Sequence, residues 1–115
     1  MASKHFILFV LVVFLFSFEV NSAMVGGWKP TSDLKDSKIV EIGKYAISEH
    51  NNKANTTLEF NSVVKGDTQV VTGTNYRLVI AAKDGGEVGN YLAIVWDKPW
   101  EKFRELTSFR NFLTN

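Results

Sequence analysis

The chain has 115 residues and no cysteine, and 13 lysines and arginines against 12 acidic residues leave a net charge of +1. So even a balance offers no basic surface for nucleic acid or an anionic membrane. The lack of thiols excludes a disulfide scaffold, and the two histidines, His5 and His50, form no metal-ligand spacing, so no metal or cofactor is expected.

Lys4 gives the first residues a positive charge, and Phe6 to Phe18 is almost wholly apolar. That run is shorter than the about 20 residues of a membrane span and suits the core of a secretory signal peptide. The small residues Ser22 and Ala23 follow. Cleavage is expected after Ala23, with Ser22 as the alternative because Val20 then lies at the third position back. The expected organisation is therefore a signal peptide over 1–23 and one domain over 24–115, secreted and without membrane association once the signal is removed. A secreted domain of 92 residues without disulfides must be held by its packing alone.

Met24-Val25-Gly26-Gly27-Trp28-Lys29-Pro30 opens the domain. Its paired glycines allow close approaches that side chains would block. Thr31 to Asp36 reads as a polar connector. Lys38 to Asn51 then has helical spacing, with Ile39, Ile42, Gly43, Ala46 and His50 on one face and Ile47 beside them. Asp36 or Ser37 can cap it, and Asn51-Asn52 suits its exit. The small pair Gly43 and Ala46 lets a sheet lie close against that face. Asn55-Thr56-Thr57 is an acceptor sequence for N-glycosylation, which makes Asn55 a candidate in a secreted chain.

Strand patterns follow at Leu58 to Lys65, Tyr76 to Ala82 and Tyr91 to Trp96, with a strong turn at Lys83-Asp84-Gly85-Gly86. Phe103 to Phe109 carries both helical and strand signals and is assigned here to an edge strand. A short first strand near Trp28 completes four to five strands. Between the first two long patterns lies Gln69-Val70-Val71-Thr72-Gly73, where two β-branched residues directly precede a turn pair. Val70 and Val71 can continue the strand, leaving Thr72 to Asn75 to turn, or they can form a projecting apolar loop. Short turns imply antiparallel neighbours. On that topology Gly26-Gly27, Val70-Val71 and Pro99-Trp100 fall on one edge of the sheet, with the Gly85-Gly86 turn on the other. Three apolar pieces on one edge read as an interface patch.

Gln69-Val70-Val71-Thr72-Gly73 matches the Q-x-V-x-G segment of the cystatins, and the helix segment Ile42 to Asn51 matches the signature of the plant branch. Trp96-Asp97-Lys98-Pro99-Trp100 matches the second hairpin and Gly26-Gly27 the N-terminal glycines. With all four in order, the chain resembles a plant cystatin over nearly all of its mature length. Thr72, where plant members often carry Ala, occupies a position the pattern leaves free.

The resemblance implies an α+β fold, a twisted antiparallel sheet wrapped around one helix. It also implies reversible, tight inhibition of papain-like cysteine proteases, either the plant's own vacuolar enzymes or, in defence, those of attackers. Val25 would enter an unprimed pocket, Gly26 and Gly27 would pass the catalytic cysteine, and Gln69 to Gly73 with Pro99 and Trp100 would plug the primed side. No catalytic residue is expected. A disrupted Gln69–Gly73 segment would mark a binding or storage protein of the same fold, the alternative reading; here the segment is intact. With the chain ending at Asn115, the C-terminal extension that some members direct at legumains is not expected. A monomer is expected, with a domain-swapped dimer possible through the apolar hinge.

Overall fold

The structure, a computed structural model, describes residues 26–113. The expected signal segment and Val25 lie outside the described residues. One helix packs on one five-stranded sheet. Strand β1 is Lys29–Pro30, helix α1 is Ser37–Ala54, and β2 to β5 are Glu59–Val71, Gly73–Asp84, Glu87–Lys98 and Phe103–Asn111. A single 3₁₀ turn, Pro99–Glu101, joins β4 to β5. The sheet order is β1-β2-β3-β4-β5, with every pair antiparallel. This meander is what short turns between neighbouring strands produce.

Asp36 caps the helix, its carboxylate accepting from the Lys38 N–H at 3.1 Å. The helix runs three residues past the expected exit and ends at Asn55, in the left-handed conformation at φ 57°. Asn51 is therefore still helical, and its side chain takes another task. Its amide donates to the Leu58 carbonyl at 2.9 Å and its oxygen accepts from the Leu58 N–H at 3.0 Å. One side chain thus stitches the helix end to the start of β2.

Ile39, Ile42, Gly43, Ala46 and Ile47 form the buried face of α1, as the spacing predicts. They meet Val63, Leu78, Ile80, Ala82, Ala93, Val95 and Leu106 from the sheet. A Cβ on Gly43 would stand 3.0 Å from both Phe60 and Val63, so the helix lies as close to β2 as a glycine allows. His50, expected on the same stripe, sits at the end of the core. Its ring stacks on Phe109 at 3.9 Å, and burial pushes its pKa below the ordinary value.

Register shifts in β2 between Phe60 and Ser62 and between Val63 and Lys65 bend that strand. Such bulges add twist, which lets a flat ladder wrap around a cylinder. All three long strands extend beyond the expected segments. The ambiguous last segment is an edge strand, as assigned. Its Leu106 is buried against the core.

Candidate functional site

The reversal between β2 and β3 is far tighter than a four-residue turn. Val70 pairs with Thr74 and Val71 with Gly73, which leaves Thr72 alone outside the ladder. The expectation that Thr72 to Asn75 turn is therefore corrected. Thr74 and Asn75 are strand residues, and the Asn75 amide donates to the Gln69 side chain at 3.2 Å. Gly73 makes this possible at φ 89°, a backbone region in which a side chain is strained. Space requires glycine there too, because a Cβ would fall 2.3 Å from the Asp97 carbonyl oxygen. Val70 and Val71 thus continue the strand and still project at its tip. Val70 is 66% exposed, while Val71 is half-buried.

The second tip stands beside the first. Thr74 pairs with Asp97, so β4 leaves the sheet at the row where β3 enters it. Pro99 opens the 3₁₀ turn with its fixed φ, and Trp100 follows at 64% exposure. Lys102 closes the turn in the left-handed region at φ 51°, donating its N–H to the Pro99 carbonyl.

The third piece arrives from β1. Lys29 pairs with Thr68 and Pro30 with Asp67, and continuing that register backwards carries Gly27 and Gly26 alongside Val70 and Val71. Trp28 pins this segment down, with the Arg77 guanidinium 4.2 Å from its ring centre. Arg77 is held in turn by Asp67 at 3.3 Å. Gly26 is half-buried and Gly27 exposed. Of the sequence-predicted binding residues, Gly26, Gly27, Gln69, Val70, Val71, Thr72, Gly73, Pro99 and Trp100 converge on one edge. Asn55 lies exposed at the helix C-terminus, beyond which β2 begins at the sheet's opposite end.

Beneath the rim is an ionic brace that the residue pattern alone did not suggest. Asp97 is only 2% exposed. Its Oδ1 accepts from Arg104 Nε at 2.9 Å, and its Oδ2, which makes no hydrogen bond, is balanced by the Lys38 ammonium at 3.1 Å. Arg104 also donates to Glu41 at 2.8 Å, and the Tyr45 hydroxyl donates to the Arg104 carbonyl at 3.0 Å. Burial pushes the Asp97 carboxyl up, but the hydrogen bond from Arg104 and the charge of Lys38 outweigh it and hold it below the usual carboxylate range. Asp97 enters the second turn and Arg104 leaves it, so this pair clamps the turn's base to the first turns of α1. A spacing rule could not find it, because the partners are brought together by the sheet.

Comparison with known proteins agrees with this geometry. A family model described as an aspartic acid proteinase inhibitor matches residues 31–112. The chain is 61% identical over 85 residues to "Cysteine proteinase inhibitor 1" of Actinidia chinensis var. chinensis, covering 74% of this chain and 73% of that one. It is 56% identical over 104 residues to "Cysteine proteinase inhibitor 5" of Arabidopsis thaliana, covering 90% and 85%. Over 92 residues it is 45% identical to "Cystatin-1" of Zea mays, covering 78% and 68%. Among solved structures it shares its fold with a salivary cystatin of the soft tick Ornithodoros moubata, at TM-score 0.67 and 23% identity over 76% of this chain and 98% of that one. By sequence and by fold, the chain belongs to the plant cystatin family of proteinase inhibitors.

Proposed function

We propose that this chain is a reversible, tight-binding inhibitor of papain-like cysteine proteases, acting through the rim formed by Gly26-Gly27, Val70-Val71-Thr72 and Pro99-Trp100. The chain is an inhibitor and not an enzyme. The observation that carries the reading is the convergence of two exposed apolar tips on one edge, each anchored to the sheet and the second also to the helix. Binding then buries apolar surface that is already in place, so little free energy is lost in ordering it. Val25 belongs to the same proposal as the anchor of the N-terminal arm, and Gly26 as the residue passing the catalytic cysteine. Substrate is excluded from the cleft, and no bond is made or broken.

The proposal places the protein in the secretory pathway, extracellular or vacuolar, after removal of residues 1–23, with Asn55 available for glycosylation and a role in plant defence within its scope. Exposure of Asn55 at the far end of the helix suits a glycan that leaves the rim free.

Titration of papain with residues 24–115 tests the reading. Stoichiometric, reversible loss of activity is expected, and full papain activity at molar excess overturns it. The family model's description raises aspartic proteinases as a second target class. Pepsin titrated in parallel separates the two: loss of pepsin activity with papain untouched assigns the second class.

Trp100→Ala is expected to speed dissociation from papain about 30-fold. A large exposed aromatic at an interface centre contributes about 2 kcal/mol or more on truncation, and such losses fall mainly on the off-rate. Stopped-flow displacement measures it, and an unchanged off-rate removes Trp100 from the site.

A monomer is proposed as the resting state. With only Thr72 between the last paired residues of β2 and β3, straightening that one residue joins the two strands and exchanges elements with a second copy. Heating below the melting temperature is expected to yield a dimer by size-exclusion chromatography, with inhibition lost because the tip no longer exists. A monomer-only profile with full inhibition counts against it.

A further inference from the structure

We infer that Trp96 is a positioning residue for the first tip, holding the apex peptide at Thr72 so that Val70 and Val71 are presented in one geometry. The inference rests on the rim as the protease-binding surface. Trp96 is not among the residues proposed to touch the protease.

Three observations carry it. Trp96 is on β4, opposite Asn75, yet its indole Nε1–H reaches past that row and donates to the Thr72 carbonyl at 2.8 Å. Thr72 is the one residue between the last ladder pair, Val71 and Gly73, so at the apex its carbonyl has no strand partner to fix it. The indole supplies what the ladder cannot.

The ring itself is held. Phe103 packs edge-on to it, with ring centres 5.3 Å apart. The Lys98 ammonium lies 4.5 Å from both ring centres and is paired with Glu101 at 3.2 Å. Lys98, Glu101 and Phe103 all belong to the second hairpin. The indole therefore transmits the position of the second hairpin to the first.

The third observation is the closeness of the two hairpins at the neighbouring residue. The Asp97 carbonyl leaves no room for a Cβ at Gly73. On one side of the junction the tips touch through backbone, and on the other they are joined by the indole. A tip fixed in this way is pre-organised, and pre-organisation lowers the ordering cost of binding. Losing one hydrogen bond that fixes it is expected to weaken inhibition about tenfold, equivalent to about 1.4 kcal/mol.

The first arm of the test needs no protease. Hydrogen exchange of the indole N–H groups in free residues 24–115 is followed by NMR. The Trp96 Nε1–H is expected to exchange at least about tenfold more slowly than that of the exposed Trp100, as an N–H held in a hydrogen bond does. Equal exchange overturns the tether. The second arm uses Trp96→Phe, which keeps an aromatic ring beside Lys98 and Phe103 and removes the donor. Faster exchange of the Gly73 and Thr74 amides is expected, with about tenfold weaker inhibition of papain.

A merely structural role is separated by coupling. In a Val71→Ala background the added loss from Trp96→Phe is expected to shrink below about twofold, because the tip no longer presents its anchor. In a Trp100→Ala background the full loss is expected to persist. Equal losses in both backgrounds, or unchanged inhibition by Trp96→Phe, overturn the inference. If the parent chain leaves papain active, the proposed function fails, and the exchange arm still decides whether the indole holds the tip.

Discussion

Val71→Asp is expected to weaken inhibition of papain by about 100-fold or more while moving the melting temperature by only a few degrees. The two effects separate because of where Val71 sits. It is the last residue of β2, paired with Gly73 across the single residue Thr72, and only half-buried in the free protein. An aspartate at such a tip stays in water and costs the fold little. In the complex the same carboxylate must be desolvated against an apolar cleft. Burying an unpaired charge costs several kcal/mol, and each 1.4 kcal/mol is a factor of ten in affinity. Inhibition constants and thermal denaturation of parent and variant check it. Undiminished inhibition removes the first tip from the interface, and a collapse of the melting temperature shows that Val71 belongs to the core.

Asp97→Ala is expected to have the opposite signature, a large loss of stability. Removal of the buried carboxylate leaves Arg104 and Lys38 with only the exposed Glu41 carboxylate, 2.8 Å and 3.6 Å away, to balance them. Breaking a buried ion pair typically costs about 3–5 kcal/mol. Both cations are partly exposed, so water can solvate them and the lower end, about 3 kcal/mol, is expected. For a domain of this size about 1 kcal/mol shifts the melting temperature by roughly 4–8 °C, so a drop of more than about 10 °C should be seen by calorimetry.

The acid dependence has a defined sign. The native Asp97 carboxyl titrates below its unfolded value, so its contribution is fully present above the ordinary carboxylate range and is lost as pH falls through the lowered native value. The parent is expected to lose stability more steeply than Asp97→Ala as pH falls below about 4, the unfolded aspartate value. Parallel acid-stability curves for the two chains would remove Asp97 from this role. His50 adds a smaller contribution at higher pH. Its imidazole is favoured neutral in the fold, so stability conferred by it declines as pH falls from the unfolded value towards the lowered native one.

Much of this protein is determined by local sequence. The helix was legible because Ile39, Ile42, Gly43 and Ala46 recur at helical spacing behind an aspartate cap, and each of these signals acts within a turn or two of chain. The long strands and the sheet edge shared by the three rim segments follow from alternation and short turns, and the family from Gln69 to Gly73 and its three companion segments. Strand ends were less legible. Val70, Val71, Thr74 and Asn75 extend the β2–β3 ladder because Gly73 can reverse at positive φ, and local propensity does not say how tightly a turn closes. What only the tertiary structure decided are the contacts between distant residues. Arg104 and Lys38 meet at Asp97, and Trp96 meets Thr72, because the sheet brings together segments far apart in the chain. Charge and hydrogen bonding have no period to read along a sequence; their partners are set by pairing register and by how far the bulged β2 wraps around the helix.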